Sequence, residues 1–176
     1  YHMERIQKTE KKNSVILNSI LYLFIKITVS ILIIYFLFTQ IFGIYRCMDN
    51  TMNPAFNEGD IILFYRLQKE YRTGDSIIIK KNGETQLRRI IATEKSSVDI
   101  TKDGLKINGY LQQEKGIYYK TAPYKEGIAF PITLKQNQYF VLGDSRINVK
   151  DSRIYGAVNT EEIQGIVTGF FRRQKF

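Results

Sequence analysis

The chain has 176 residues, a formal net charge of +9 and a single cysteine, Cys47. That length allows one membrane segment plus one modest domain with a core, and a lone cysteine excludes an intrachain disulfide. The charge calls for an anionic partner, but no zinc-finger spacing, RNP motif or helix-turn-helix pattern accompanies it. No nucleic acid is therefore expected, and an anionic bilayer surface is the simpler partner.

Residues 1–14 read as a cytoplasmic tail. His2-Met3 often precedes a recombinant start, so residues 1–3 are set aside. Residues 15–43 are apolar apart from some hydroxyl and amide residues and one charge, Lys26. A spanning helix needs about 20 mostly apolar residues, and Ile20 to Phe42 suffices if Lys26 reaches the headgroups. Thr39-Gln40-Ile41-Phe42 offers no small-x-small cleavage site, so the segment reads as an uncleaved anchor. Arg5, Lys8, Lys11 and Lys12 precede it and only Arg46 follows closely. The positive-inside rule then predicts a single-pass protein of the cell membrane, N-terminus cytoplasmic and C-terminal domain extracellular.

Residues 44–176 read as a β-rich domain. Ile61 to Tyr65 and Ser76 to Lys80 are β-prone runs. Thr73-Gly74-Asp75 turns the chain before the second, and Asn82-Gly83 predicts a tight hairpin into a strand from Thr85 to Ala92. Asp103-Gly104 and Asn108-Gly109 predict a small meander inside an insertion at about 94–137. Gln112 to Phe130 is aromatic and basic without a period, hence loop. Gln138 to Leu142 reads as a buried strand, 159–164 as a helical turn capped by Asn159 or Thr160, and Gly165 to Phe171 as the last strand. The tail 170–176 mixes aromatic and basic residues, as an interfacial anchor would. Cys47 has no nearby histidine to activate it, the only one being His2, and reads as a small buried residue.

Three stretches stand in order behind the anchor: Thr51-Met52-Asn53-Pro54, then Leu87-Arg88-Arg89-Ile90-Ile91, then Gly143-Asp144-Ser145-Arg146 followed by Asp151-Ser152-Arg153 and Gly156. In this order they resemble the bacterial type I signal peptidases over essentially the whole chain. The resemblance implies a mainly β, signal-peptidase-like fold: a catalytic-type core, a small β insertion and one N-terminal transmembrane helix. In that family a serine before Met-x-Pro attacks the scissile carbonyl. A lysine in a Lys-Arg-apolar-apolar stretch is the general base, its pKa pushed down from about 10.4 by an apolar cleft.

This chain departs at both positions. Thr51 replaces the serine; a threonine hydroxyl can still be a nucleophile, although its methyl restricts χ1. Arg88 replaces the lysine, and a guanidinium with a pKa above about 12 cannot take a proton. Val149-Lys150 stand where the family carries a serine that orients the lysine, and Glu94-Lys95-Ser96 replace a Gly-Asp. The resemblance further implies that Met52, Asn53 and Pro54 border a peptide cleft. Arg89, Gly143, Asp144, Arg146, Asp151, Ser152, Arg153 and Gly156 would then be framework that braces the site.

The same pattern is similar to the signal-peptidase-like proteins of Gram-positive pilus gene clusters (the SipA or LepA type). That implies a non-catalytic accessory or chaperone-like role with pilin subunits or other exported proteins and a sortase as partners, and no cofactor or metal. The alternative is an active type I signal peptidase on exported pilin-type precursors, with Lys80 or Lys81 as the nearest other base.

Overall fold

The computed structural model describes residues 2–172, with side chains from Val15 onward. The charges of residues 5–12 and the tail residues 173–176 lie outside the described side chains. The chain divides into two compact units, 1–41 and 42–176.

The first unit is one helix, α1 (His2–Ile41). The expected tail at 1–14 is therefore helical from His2, and the apolar segment leaves the helix at Ile41 rather than at residue 43. Val15–Ile41, with a mean hydropathy of 2.4, is long and apolar enough to cross a membrane. At 1.5 Å per residue this stretch is about 40 Å long, more than a hydrocarbon core of about 30 Å. Its large apolar side chains are exposed along its length, as a lipid-facing helix requires.

The second unit begins with a strand that the apolar run conceals. β1 (Phe42–Arg46) pairs antiparallel with β2 (Ile61–Tyr65), Phe42 opposite Tyr65 and Arg46 opposite Ile61. β3 (Ser76–Lys81) and β4 (Glu84–Ala92) form the hairpin expected around Asn82-Gly83, whose φ values of 51° and 82° satisfy a primed turn. With β9 (Gln138–Leu142), β10 (Val158–Asn159) and β11 (Ile163–Phe171) they complete a seven-stranded sheet ordered β1-β2-β11-β3-β4-β9-β10. A second sheet, β7-β6-β5-β8, is built from β5 (Ser97–Thr101), β6 (Gly104–Ile107), β7 (Tyr110–Leu111) and β8 (Ile132–Thr133). The architecture is mainly β with one N-terminal apolar helix.

Alternation along the strands sorts the core. Ile77, Ile79, Ile90, Val141 and Val158 share one buried cluster, whereas Ile91, Phe140 and Leu142 join Val98, Ile100 and Leu105 of the second sheet in another. A third cluster holds Cys47, Met52, Phe56, Ile62, Phe64, Ile78 and Leu87. The turn at 159–164 is a 3-10 helix, Thr160–Glu162, entered through Asn159, whose N–H donates to Glu162 Oε2 at 2.9 Å. A short helix absent from the sequence reading, α2 (Ser152–Tyr155), follows Asp151, whose carboxylate caps it by accepting from Arg153 N.

Candidate functional site

β4 carries Arg88 to the centre of the large sheet, where its side chain is 4% exposed. The loop after β1 carries Thr51 to the same place. Arg88 Nη1 donates to Thr51 Oγ1 at 3.1 Å. The rest of the guanidinium is committed to backbone: Nε and Nη2 donate to Lys150 O at 3.0 and 2.8 Å, and Nη1 donates to Leu87 O at 2.6 Å. Thr51 in turn donates its hydroxyl to Asp49 Oδ1 at 2.6 Å, and its N–H donates to the same oxygen at 3.0 Å. Asp49 was not singled out in the sequence; its place two residues before the expected nucleophile was the available signal.

These groups line an open cleft of about 620 Å³ with Tyr45, Met48, Glu84, Thr85, Gln86, Asn148 and Lys150. Most of these residues are polar or charged, although their apolar atoms supply about half of the cleft surface. Lys150 Nζ and Glu84 Oε1 pair across the rim at 3.3 Å, both well exposed. Burial, followed by the charge of Asp49, raises the Tyr45 phenol above its ordinary value. Lys80 and Lys81 do not line the cleft: Lys81 Nζ is held by Glu162 at 2.8 Å, and Lys80 points outward from the hairpin.

The three residues after Thr51 take other places. Met52 is 2% exposed and packs in the core with Phe56 and Phe64. Asn53 lines a separate hollow with Asn50, Asn57 and Arg172, and Pro54 is half-buried beside it. None of the three lines the Thr51 cleft. A side chain that follows Thr51 along the loop turns inward, because this loop must cover the apolar end of the sheet.

The framework residues converge behind the site. Gly143 packs so closely that an added Cβ would lie 2.6 Å from Val149 Cγ1 and 2.8 Å from Thr51 O. Ser145 N donates to Thr51 O at 3.0 Å, which ties the loop after β9 to the Thr51 loop. Asp144 pairs with Arg89 in a two-pronged contact of 2.8 and 2.6 Å, and this carboxylate raises the guanidinium of Arg89 above its ordinary value. Asp151 pairs with Arg153 at 2.9 and 2.8 Å, both almost wholly buried, while Ser152 Oγ accepts from Val141 N. Arg146, 3% exposed, does not pair with Asp144. It donates to Glu114 Oε1 at 2.6 Å and to Thr121 Oγ1 at 2.8 Å. Those partners come from the aperiodic stretch that reads as loop, so nothing local announced them. Gly156 ends α2 at φ 79°, a conformation that favours glycine.

Chemically the site offers a hydroxyl between a carboxylate acceptor and a permanent cation. A guanidinium can donate to that oxygen but cannot accept its proton. Among the described residues no cluster of three or more His, Cys, Asp or Glu forms that could hold a metal ion.

Comparison with known proteins adds a further finding. A family model described as "Signal peptidase, peptidase S26" matches residues 20–171. Signal peptidase I T of Bacillus subtilis (strain 168) is 30% identical over 142 residues, 73% of this chain and 70% of that protein. A signal peptidase I of Bacillus licheniformis is 26% identical over 175 residues, 93% of this chain and 91% of that protein. A crystal structure of a signal peptidase I from Enterococcus faecalis V583 superposes with a TM-score of 0.47 at 26% identity. That superposition covers 57% of this chain and 98% of that one.

Proposed function

The chain belongs to the signal peptidase family, peptidase S26, and from that premise we propose that it is a non-catalytic member that binds an extended segment of an exported protein. The observation that carries the reading is the 3.1 Å contact from Arg88 Nη1 to Thr51 Oγ1. Acyl transfer by a hydroxyl needs a base within hydrogen-bond reach of its proton. The group at the family's base position is a buried cation whose donors are already engaged by Thr51, Leu87 O and Lys150 O. Val149, buried against Gly143, brings no hydroxyl to orient an amine.

The finer reading is an accessory or chaperone-like factor in pilus assembly, with pilin subunits as the bound partner and a sortase as co-worker. The apolar helix anchors it in the cell membrane with the N-terminus cytoplasmic and the β domain outside. Support for this finer step is the altered base position beside a framework kept in place by the Asp151–Arg153 and Asp144–Arg89 pairs. The test uses the full chain in detergent micelles with an exported pilin-type precursor. Binding without cleavage is expected, unchanged by Thr51→Ala; turnover abolished by Thr51→Ala overturns the proposal.

One observation favours a second reading, an active peptidase. Asp49 Oδ1 accepts the Thr51 hydroxyl at 2.6 Å, so a carboxylate stands where a proton could go. In that case cleavage occurs and is lost in Asp49→Asn as well as in Thr51→Ala.

A further inference from the structure

Arg88 and Arg89 are neighbours on β4, so their side chains leave opposite faces of the strand. Arg88 enters the Thr51 cleft, whereas Arg89 lines a separate hollow of about 190 Å³ that shares no residue with that cleft. The hollow lies where β4, β6 and the stretch 112–117 meet. Ile91, Ile107 and Ile117 give it an apolar wall; the first is buried and the other two are half-buried. A cavity of about 150 Å³ lined by aliphatic groups admits a benzene ring, and drug-sized ligands need about 300–1,000 Å³. This space suits one bulky side chain and is too small for a cofactor or an acyl chain.

The outer wall is pinned. Gln112 N donates to Leu105 O at 2.9 Å, and Ile117 N donates to Glu114 O at 3.2 Å. Glu114 Oε1 accepts from the buried Arg146 at 2.6 Å, and its Oε2 accepts from Thr121 Oγ1 at 2.6 Å. A site fixed before its partner arrives loses little freedom on binding. The same contacts neutralise the wall's negative charge, because Glu114 is the only acid between Asp103 and Glu126 and it is paired with Arg146. Lys115 on the rim and Lys120 beyond it are exposed, and their ammonium groups have no partner among the described residues. The exposed carboxamide of Gln113, also on the rim, is likewise unengaged.

We infer that this hollow is a second docking site, one that takes a single leucine- or phenylalanine-sized side chain from an acidic segment of a protein partner. The apolar side chain fills the isoleucine wall, carboxylates beside it meet Lys115 and Lys120, and Gln113 bonds the partner's backbone. A bilayer surface cannot enter a concave site of this size, and a second copy of this chain, at +9, brings the wrong charge. The site stands apart from the Thr51 cleft and holds with or without cleavage there.

Fluorescence anisotropy on the full chain in phosphatidylcholine nanodiscs tests this with two labelled peptides, Glu-Glu-Leu-Glu-Glu and a twin with serine at the centre. The leucine peptide is expected to bind roughly tenfold more tightly. Lys115→Glu should weaken its binding roughly fivefold. Lys150→Glu, the same change on the rim of the Thr51 cleft, should leave it as it was. Equal affinities for the two peptides, or binding of neither, overturn the inference. So does a leucine peptide that Lys115→Glu leaves untouched, or that Lys150→Glu weakens as much, since its binding then belongs to the Thr51 cleft or to net charge alone.

Discussion

Arg88 and Thr51, 37 positions apart, meet through a hydrogen bond in which the guanidinium is the donor. The direction of that bond matters more than its length. A donor at this place holds the hydroxyl oxygen and leaves its proton to Asp49. The same guanidinium also satisfies two backbone carbonyls, Leu87 O and Lys150 O, so it braces the site as well as contacting the hydroxyl. Arg88→Lys cannot reproduce the planar fork on Lys150 O. It should destabilise the domain by about 1–3 kcal/mol and confer no turnover, because Val149 offers nothing to orient an amine. Urea unfolding in micelles and a precursor-cleavage assay check both halves.

The Asp151–Arg153 pair is almost wholly buried, its side chains 0% and 2% exposed. Removing one partner strands the other charge in a low-dielectric interior. Arg153→Met should cost about 3–5 kcal/mol, more than any rim substitution such as Lys150→Ala, whose exposed pair with Glu84 should matter by less than about 1 kcal/mol. Denaturation midpoints of the two variants decide the ranking.

Gly143 is a packing requirement. Gly143→Ala drives a methyl against Val149 Cγ1 and Thr51 O. A loss of about 1–3 kcal/mol is expected for such overpacking. Val149→Ala in the same chain should return only part of it, since the contact with Thr51 O belongs to backbone. Full rescue would show that the carbonyl does not constrain this position.

Asp60 is buried, and its carboxyl is held below the usual value chiefly by its hydrogen bonds from Arg172, at 2.7 Å for the shortest. A depressed native value means that the stabilisation is present above the ordinary carboxyl range near about 3.9 and is lost as pH falls through the lower native value. Arg172→Gln removes the main cause, so the variant should be less stable above about pH 5 and should lose less of its stability between about pH 4 and 2, the two curves converging in acid. Unfolding free energies measured from pH 2 to 6 for both proteins test this; superimposable curves would count against the assigned pair.

The Cys47 thiol is 5% exposed and pushed up to about 11, first by burial and then by the charges of Asp60 and Asp49. Only the thiolate reacts. Labelling by a thiol reagent at pH 8 should be on the order of a hundredfold slower in the native protein than in urea. Equal rates would mean that the loop after β1 opens readily.

The apolar helix, the Asn82-Gly83 hairpin and the strands around Ile77, Ile90 and Val141 were legible because they rest on local pattern. Twenty or more apolar residues in a row, a left-handed turn pair and β-branched runs each act within a few positions. β1 was not legible, since Phe42-Gly43-Ile44-Tyr45-Arg46 continues the apolar run. Only pairing with Ile61–Tyr65 ends the helix at Ile41. The resemblance of short motifs was enough to nominate Thr51 and Arg88, and the arginine at position 88 already meant that no lysine base stands there.

What the sequence by itself determined is therefore the kind of group at each position: a hydroxyl, a permanent cation, paired carboxylates and guanidinium groups, and a span for a membrane. What only the tertiary structure decided is who meets whom. Arg146 pairs with Glu114 rather than Asp144, Met52 turns into the core, Asp49 takes the Thr51 hydroxyl, and Arg88 donates to the carbonyls of Leu87 and Lys150. Hydrogen bonds and ion pairs act over about 3 Å. Long-range sheet pairing sets distances on that scale between residues far apart in the chain, and no local pattern encodes them.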